Sequence, residues 1–274
     1  MSKKQISTVM LPGNVRRLMK DIHEIERNDL KSHGIFYIHD ENQLLKGYAL
    51  IIGQSNTPYH AGYYFFEFNF PENYPFVPPI VNFCTNRNGI RFHPNLYENG
   101  HVCLSILNTW DGDKWSACNT ISSVLLSMST LFVNDPLLFE PGVLITHCEM
   151  PIYNQIIEYA NIQIAICDVV EVIIKEDNNT IHFPFFFHLF SDVVIDKFMS
   201  IYCEMKESCE KKKLLYENTV FEAVMTKKYR INCSINYDLL SKRLQYIYEK
   251  CIILCQKKEQ EHEQKHEKEI IDGK

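Results

Sequence analysis

Cys103 lies eight residues after Asn95, in the run Phe92-His93-Pro94-Asn95-Leu96-Tyr97-Glu98-Asn99-Gly100-His101-Val102-Cys103-Leu104. A thiolate is the strongest nucleophile among the common side chains, and a carboxamide carries N–H donors that can receive a developing oxyanion. Held near each other, these two groups suffice for acyl transfer through a thioester. That chemistry calls for a sulfur exposed in a shallow groove, with the Asn95 carboxamide within reach. Asn95 also has a plain turn role, bonding local backbone, and the two roles are compatible. A free cysteine is commonly a small buried hydrophobe, and that reading is kept for the other nine cysteines of the chain. His93 invites a cysteine–histidine hydrolase reading, but no third residue can be assigned to orient it. Pro94 fixes the turn between His93 and Asn95.

A second constellation, Cys251, Cys255, His262 and His266, has metal-like spacing. On one straight helix the two pairs lie about 10 Å or more apart, so they cannot surround one tetrahedral ion. No break is signalled between them, which favours packing for the cysteines and solvent for the histidines, with no metal.

The elements that must position the reactive loop are read from periodicity. Apolar residues at Val15, Leu18, Met19, Ile22 and Ile25 predict a first helix, with Asn14 as its cap. Strand-like runs over 35–38, 47–52, 63–70 and 80–84 predict an antiparallel meander. Four prolines in the nine residues 71–79 exclude a central strand or helix there and make a rigid, presented turn. Helical patterns follow over 119–132 (capped by Asn119 or Thr120), over 150–175, over 192–213 and from about Asn236 onward. Asp177-Asn178-Asn179 marks a boundary, and the mixed charge of 256–274 reads as a frayed helix end or a disordered tail. The fold class is α+β: an N-terminal helix, a four-stranded antiparallel meander, then helices. The predicted division is a core over 10–175, a helical extension over 176–255 and a charged tail over 256–274.

Four features taken in order make the chain resemble the ubiquitin-conjugating enzymes: Tyr74-Pro75-x-x-Pro78-Pro79, His93-Pro94-Asn95, Gly100-x-Val102-Cys103-Leu104, and Trp115-Ser116 followed by the helix that begins near Ile121. Within that family the large Z-type members are most similar, through Cys103-Leu-Ser-Ile-Leu107-x-Thr109-Trp110-x-Gly112, Ile121-Ser-Ser-Val-Leu125 and Glu140-Pro141-Gly142. More faintly, Tyr153-Asn154, Ile166-Cys167-Asp168, Tyr237–Leu240 and Arg243-Leu244 agree as well.

The resemblance implies that Cys103 carries ubiquitin or a ubiquitin-like protein as a thioester, taken from an activating enzyme and passed to lysine amines of protein substrates, usually with a ligase. It implies that Asn95 stabilises the oxyanion, that His93 braces the loop, and that Glu140 is the candidate gate for the acceptor lysine. A solvated loop carboxylate is the equal alternative for Glu140. By the same carry-over, Arg16, Arg17 and Lys20 face the activating enzyme, while Phe76, Ser116 and Ala117 lie where ligases touch. A solvated helix face is the plainer reading of the three bases, and Phe76 could fold back onto the core. No cofactor is implied, since ATP is used upstream. Three departures stand out: Ser105 where many small members have Asp, Ala117 where the common pattern has Pro, and the longer path through Thr109–Lys114.

Bulk properties fit this reading. Net charge is −6, so no global basic field for nucleic acid exists. No apolar run approaches the roughly 20 residues that span a bilayer. Met1-Ser2-Lys3-Lys4-Gln5 leads into no export-type apolar segment, and ten scattered cysteines without a Cys-x-x-Cys pair read as reduced thiols. The expected location is the cytoplasm, with the nucleus also open. The alternatives are a non-catalytic scaffold for ubiquitin or the activating enzyme, and a cysteine hydrolase.

Overall fold

The computed structural model describes residues 10–175, 183–226 and 229–272. The first helix, α1, spans Pro12–Arg27. Pro12 supplies a preset φ at the first helical position, where a missing N–H costs nothing. The helix therefore starts before Asn14, and Leu11, not Asn14, is its unbonded cap. Asn14 instead sends its side-chain N–H to the Glu72 carbonyl at 3.0 Å, tying α1 to the start of the proline turn.

Four strands follow: β1 Ile35–His39, β2 Lys46–Ile52, β3 Tyr63–Asn69 and β4 Ile80–Phe83. They pair antiparallel in chain order, with Tyr37 opposite Ala49, Ala49 opposite Phe66 and Phe66 opposite Phe83. The two-residue period puts Tyr64, Phe66 and Phe68 on one face of β3. Tyr64 stacks on Phe132 at 4.4 Å and meets Phe92 edge-on at 5.6 Å, so this face underlies the reactive loop. Tyr63, Tyr64, Phe65 and Phe66 are all fully buried, which explains an apolar run where a one-sided strand would alternate.

The proline turn is rigid because its flanks are bonded. Trp115 Nε1 donates to the Pro75 carbonyl at 2.6 Å, and the Tyr74 hydroxyl donates to Asp21. Helix α2, Ile121–Ser129, is capped by Thr120. Its Oγ1 accepts from the Ser123 N–H at 3.3 Å, while Ser123 Oγ accepts from the Thr120 N–H at 3.2 Å. A 3₁₀ turn, Pro136–Phe139, leads through Glu140 to α3, Met150–Ala160.

The chain divides into two compact units, Met1–Asn161 with Glu222–Asn232, and Ile162–Phe221 with Cys233–Lys274. This division differs from the expected one, 10–175 followed by 176–255. The helix expected over 150–175 is also not uniform. After α3 it runs as a π-helix, Asn161–Asp168, before α4, Val169–Ile174. The Asp177-Asn178-Asn179 signal lies outside the described residues.

The second unit carries α5, Ser191–Tyr216, and α6, Tyr237–Asp272. Helix continues through 256–272, the stretch read as frayed or disordered, because propagation from a packed helix is cheap and Gln, Glu and Lys are good helix formers. Arg243 on α6 bonds Asp168 at 2.5 Å, Glu171 at 2.6 Å and the Gln163 carbonyl at 3.2 Å. Glu217 Oε2 accepts from the Tyr237 N–H at 2.9 Å and the Asp238 N–H at 3.3 Å, placing a carboxylate at the start of α6.

A two-stranded hairpin, β5 Val220–Thr226 with β6 Tyr229–Ser234, was not foreseen. Its signal was present: Tyr229, Ile231, Cys233 and Ile235 alternate with polar residues.

Candidate active site

The reactive loop is held from beneath by two buried tyrosines. The Tyr59 hydroxyl donates to the Phe92 carbonyl at 2.6 Å, and the Tyr153 hydroxyl donates to the Arg91 carbonyl at 3.0 Å. Above them the chain doubles back. Tyr97 N–H bonds the His101 carbonyl at 2.9 Å, and Gly100 N–H bonds the Tyr97 carbonyl at 2.9 Å. Gly100 sits at φ +87, and an added Cβ would lie 3.0 Å from the Phe83 carbonyl oxygen. The tight return that delivers Cys103 therefore needs glycine.

Asn95 and Cys103 are bonded to each other in both directions. Cys103 N–H donates to the Asn95 carbonyl at 2.9 Å, and Asn95 Nδ2 donates to the Cys103 carbonyl at 2.7 Å. The carboxamide is thus turned toward the backbone of the thiol-bearing residue. A carboxamide carries two N–H bonds, so one more can serve an incoming oxygen. His93 Nδ1 accepts the Asn95 N–H at 2.9 Å. Its ring is fully buried 4.7 Å from that of Phe139, and burial, helped by the Arg91 charge, pushes it down to about 3. His93 is therefore a neutral brace for the loop.

Cys103 is 5% exposed, which corrects the expectation of a sulfur lying open in a groove. Burial raises its thiol pKa. A hydrogen bond from Tyr97 and the positive charge of Arg91 act the other way. On the far side, Thr109 opens the insertion and braces the thiol loop. Its Oγ1 donates to the Val102 carbonyl at 2.7 Å and accepts the Leu104 N–H at 2.9 Å.

Glu140 turns inward, its carboxylate 4.0 Å from the Arg91 guanidinium, instead of standing as a solvated loop residue. Burial raises its pKa and Arg91 partly offsets that.

The remaining expected residues lie apart from this cluster. Arg16 and Lys20 are exposed on α1. Arg17 is spent within the molecule, on Asp21 at 2.9 Å, the Ala117 carbonyl at 2.5 Å and the Asn119 carbonyl at 2.6 Å. Those bonds lock α1 to the loop around Ser116 and Ala117, so Arg17 is a structural anchor and not an open docking base. Ser116 is exposed, and Phe76 is 72% exposed at the turn tip, so it does not fold back.

Sequence reasoning passed over Arg91, Tyr97 and Tyr229. Arg91 stood out as the one charge between Ile90 and Phe92, next to the reactive loop. Cys251 is buried and Cys255 half-buried on α6, while the His262 and His266 side chains lie outside the described ones. Among the described residues no group of three or more metal-binding side chains comes together, and no helix is long and apolar enough to cross a membrane.

A family model described as Ubiquitin-conjugating enzyme matches residues 17–144. The matched segment, 17–144, is similar to that family. Its four-stranded meander, preceded by one helix and followed by others, is the architecture the resemblance implied. Ubiquitin-conjugating enzyme E2 Z of Danio rerio is 39% identical over 160 residues, which is 57% of this chain and 48% of that protein. The Homo sapiens E2 Z is 39% identical over 163 residues, 58% of this chain and 46% of that protein. The chain thus spans about half the length of these relatives. A solved structure, human Ubiquitin-conjugating enzyme E2 G1, aligns at 28% identity with a TM-score of 0.39, covering 44% of this chain and 96% of that one. The reactive loop and Tyr59 fall inside the matched residues, and Tyr153 lies just beyond them.

Proposed function

We propose that this chain accepts ubiquitin, or a ubiquitin-like protein, as a thioester on Cys103 and transfers it to lysine amines. In charging, the Cys103 thiolate attacks the thioester carbonyl carbon on an activating enzyme. A new S–C bond forms and the activating enzyme's thiolate leaves. In transfer, a neutral lysine amine attacks the same carbon, the Cys103 S–C bond breaks, and the amine proton passes to solvent. The observation that carries this reading is the reciprocal pair of bonds between Asn95 and Cys103, at 2.9 and 2.7 Å, inside a segment of the conjugating family.

The second N–H of Asn95 is the donor for the oxyanion. Glu140 is the candidate gate for the lysine. Its raised pKa makes it a better proton acceptor than a solvated carboxylate. Arg16 and Lys20 on α1 are the free bases for an activating enzyme, and Phe76 is the exposed anchor for a ligase. The setting is the cytoplasm or nucleus, where its ten free cysteines would stay reduced.

His93 argues against a hydrolase, since an imidazole pushed down to about 3 is a poor general base at neutral pH. The 5% exposure of Cys103 favours the other alternative, a scaffold that never carries the modifier. One assay separates them. The chain is mixed with ATP, ubiquitin and a panel of activating enzymes, then run on gels with and without reductant. We expect a reductant-sensitive adduct that Cys103→Ser abolishes. A reducible adduct surviving in Cys103→Ser would overturn the assignment.

A further inference from the structure

Helix α6 carries two stripes. A helix turns about 100° per residue, so Leu244, Ile247 and Cys251 share one side, and all three are buried. Tyr246, Lys250, Ile253 and Lys257 fall within about 60° of one another, roughly 120° round the helix from that buried stripe. Tyr246 is 51% and Ile253 47% exposed, and both lysines between and beyond them are exposed as well. A solvated helix face has no need of a tyrosine and an isoleucine set among its cations.

This second stripe lines a groove of about 370 Å³, open along one side. Ile174 and Lys175, at the end of α4, line it too, as does Leu254, which sits between the two stripes of α6. Every one of these residues belongs to the second compact unit. No acidic side chain lines the groove. Lys175 holds Glu171 at 3.4 Å, on its own helix. Lys250 lies 5.5 Å from the Tyr246 ring centroid, and among the described residues neither it nor Lys257 has a carboxylate partner. The neighbouring Glu249 is turned to Gln245, whose Nε2 it accepts at 3.1 Å.

We propose that this groove is a docking site for an acidic amphipathic helix of a partner protein. Its apolar side chains would enter between Tyr246, Ile253 and Ile174, while carboxylates along its flanks would meet Lys175, Lys250 and Lys257. From Tyr246 to Lys257 the stripe covers about 16 Å of α6, which matches about three turns of such a helix. The chain as a whole carries −6, so three lysines with no acid among the lining are a local contrast that selects an acidic partner. The same net charge disfavours an anionic bilayer, which would repel the rest of the molecule, and a concave wall fits a rod better than a plane.

The groove lies in the unit that does not hold Cys103, and its test uses neither ubiquitin nor an activating enzyme. Fluorescence anisotropy of the full chain is measured with a labelled peptide of about 14 residues, glutamates with leucines every three or four positions, and with the same residues in scrambled order. The patterned peptide should bind at least about tenfold more tightly than the scrambled one. Lys250→Glu with Lys257→Glu should weaken it about tenfold, and Ile253→Ser should weaken it without any change of charge. Lys211→Glu with Lys242→Glu, the same charge change on exposed lysines outside the groove, should leave binding within about twofold. The comparison of the two peptides is made on the unaltered chain, so it decides the matter even where a variant fails to fold. Equal binding of the two peptides, equal losses in the two double variants, or no binding up to about 1 mM overturns the assignment. Flotation with phosphatidylcholine–phosphatidylserine vesicles that depends on Lys250 and Lys257, without peptide binding, overturns it in favour of a membrane surface.

Discussion

At the scale of single residues, two side chains in the reactive loop have separable jobs. Asn95 is committed on one N–H to the Cys103 carbonyl at 2.7 Å, so its removal loosens the loop slightly and deletes the oxyanion donor. We expect Asn95→Ala to charge close to the wild-type rate but to discharge to free lysine about 10²–10³ times more slowly. Single-turnover discharge of preformed thioester measures this, and equal slowing of charging and discharge would place Asn95 in loop folding alone. His93 predicts a stability effect instead. Its ordinary value is 6.5, and in the fold burial, then Arg91, push it to about 3. Between those values the unfolded chain binds a proton that the folded chain refuses. His93 thus contributes stability above pH 6.5 that is lost as pH falls, at about 1.4 kcal/mol per pH unit in that window. His93→Asn keeps an acceptor for the Asn95 N–H and lacks the titration. Its stability deficit against the wild type, measured by urea unfolding from pH 7 to pH 4, should narrow on acidification. A constant deficit would mean that His93 titrates in the fold. His93, Asn95 and Cys103 were legible from the sequence because all three sit on one short loop. Arg91 and Tyr229 were not, because their partnership is made across the chain by the hairpin, and no spacing rule connects them.

At the scale of elements, legibility followed periodicity. Strands β1 to β4 were readable because alternation and apolar runs fix a strand, and proline and glycine fix its ends. The stretch after Ala160 defeated the same method. Nearly every residue from Asn161 to Val170 is buried, including Ile162, Ile164, Ala165, Ile166 and Cys167. A helix covered on all sides has no apolar stripe, so its pattern cannot distinguish an α turn from a wider π turn. The polar groups of this stretch carry the consequence. Asp168 is 10% and Glu171 11% exposed at the side chain, and Arg243 neutralises both. Arg243→Met removes the cation that two buried carboxylates share, and of these Glu171 keeps Lys175 at 3.4 Å. We expect a loss of about 2–3 kcal/mol in the second unit, below the ~3–5 kcal/mol of a fully buried pair because Arg243 is itself 23% exposed. Adding Asp168→Asn and Glu171→Gln to Arg243→Met should recover much of that loss, since amides tolerate burial better than carboxylates that have lost a counter-charge. Chemical denaturation of the single and triple variants provides the measurement. A triple variant no more stable than the single would show that packing of the arginine stem, not charge, carries the effect.

At the scale of the whole molecule, the second half of the chain contributes unequally to the unit that holds Cys103. The segment Glu222–Asn232 belongs to the unit that holds Cys103, whereas α6 belongs to the other. Beyond Cys255, residues 256–260 are exposed, and Lys258 pairs with Asp192 at 2.8 Å with 53% and 81% of the two side chains open to water. An ion pair so solvated is worth about 1 kcal/mol at most and fades with salt. These facts predict different outcomes for two deletions, the longer of which should matter less. A chain ending at Cys255 should keep the wild-type pH profile of Cys103 alkylation, and its small loss in thermal midpoint should shrink further in high salt. Replacing Glu222–Asn232 with a short Gly-Ser turn removes Tyr229, whose ring centroid lies 5.1 Å from the Arg91 guanidinium carbon, and should lower the thermal midpoint more than the truncation does, whatever the salt. Equal midpoints for the two deletions would mean that the hairpin holds the unit together no better than the end of α6 does. The end of α6 contributes a solvated ion pair, while the short hairpin sets a ring beside the buried Arg91, a division that neither charge nor length along the chain reveals.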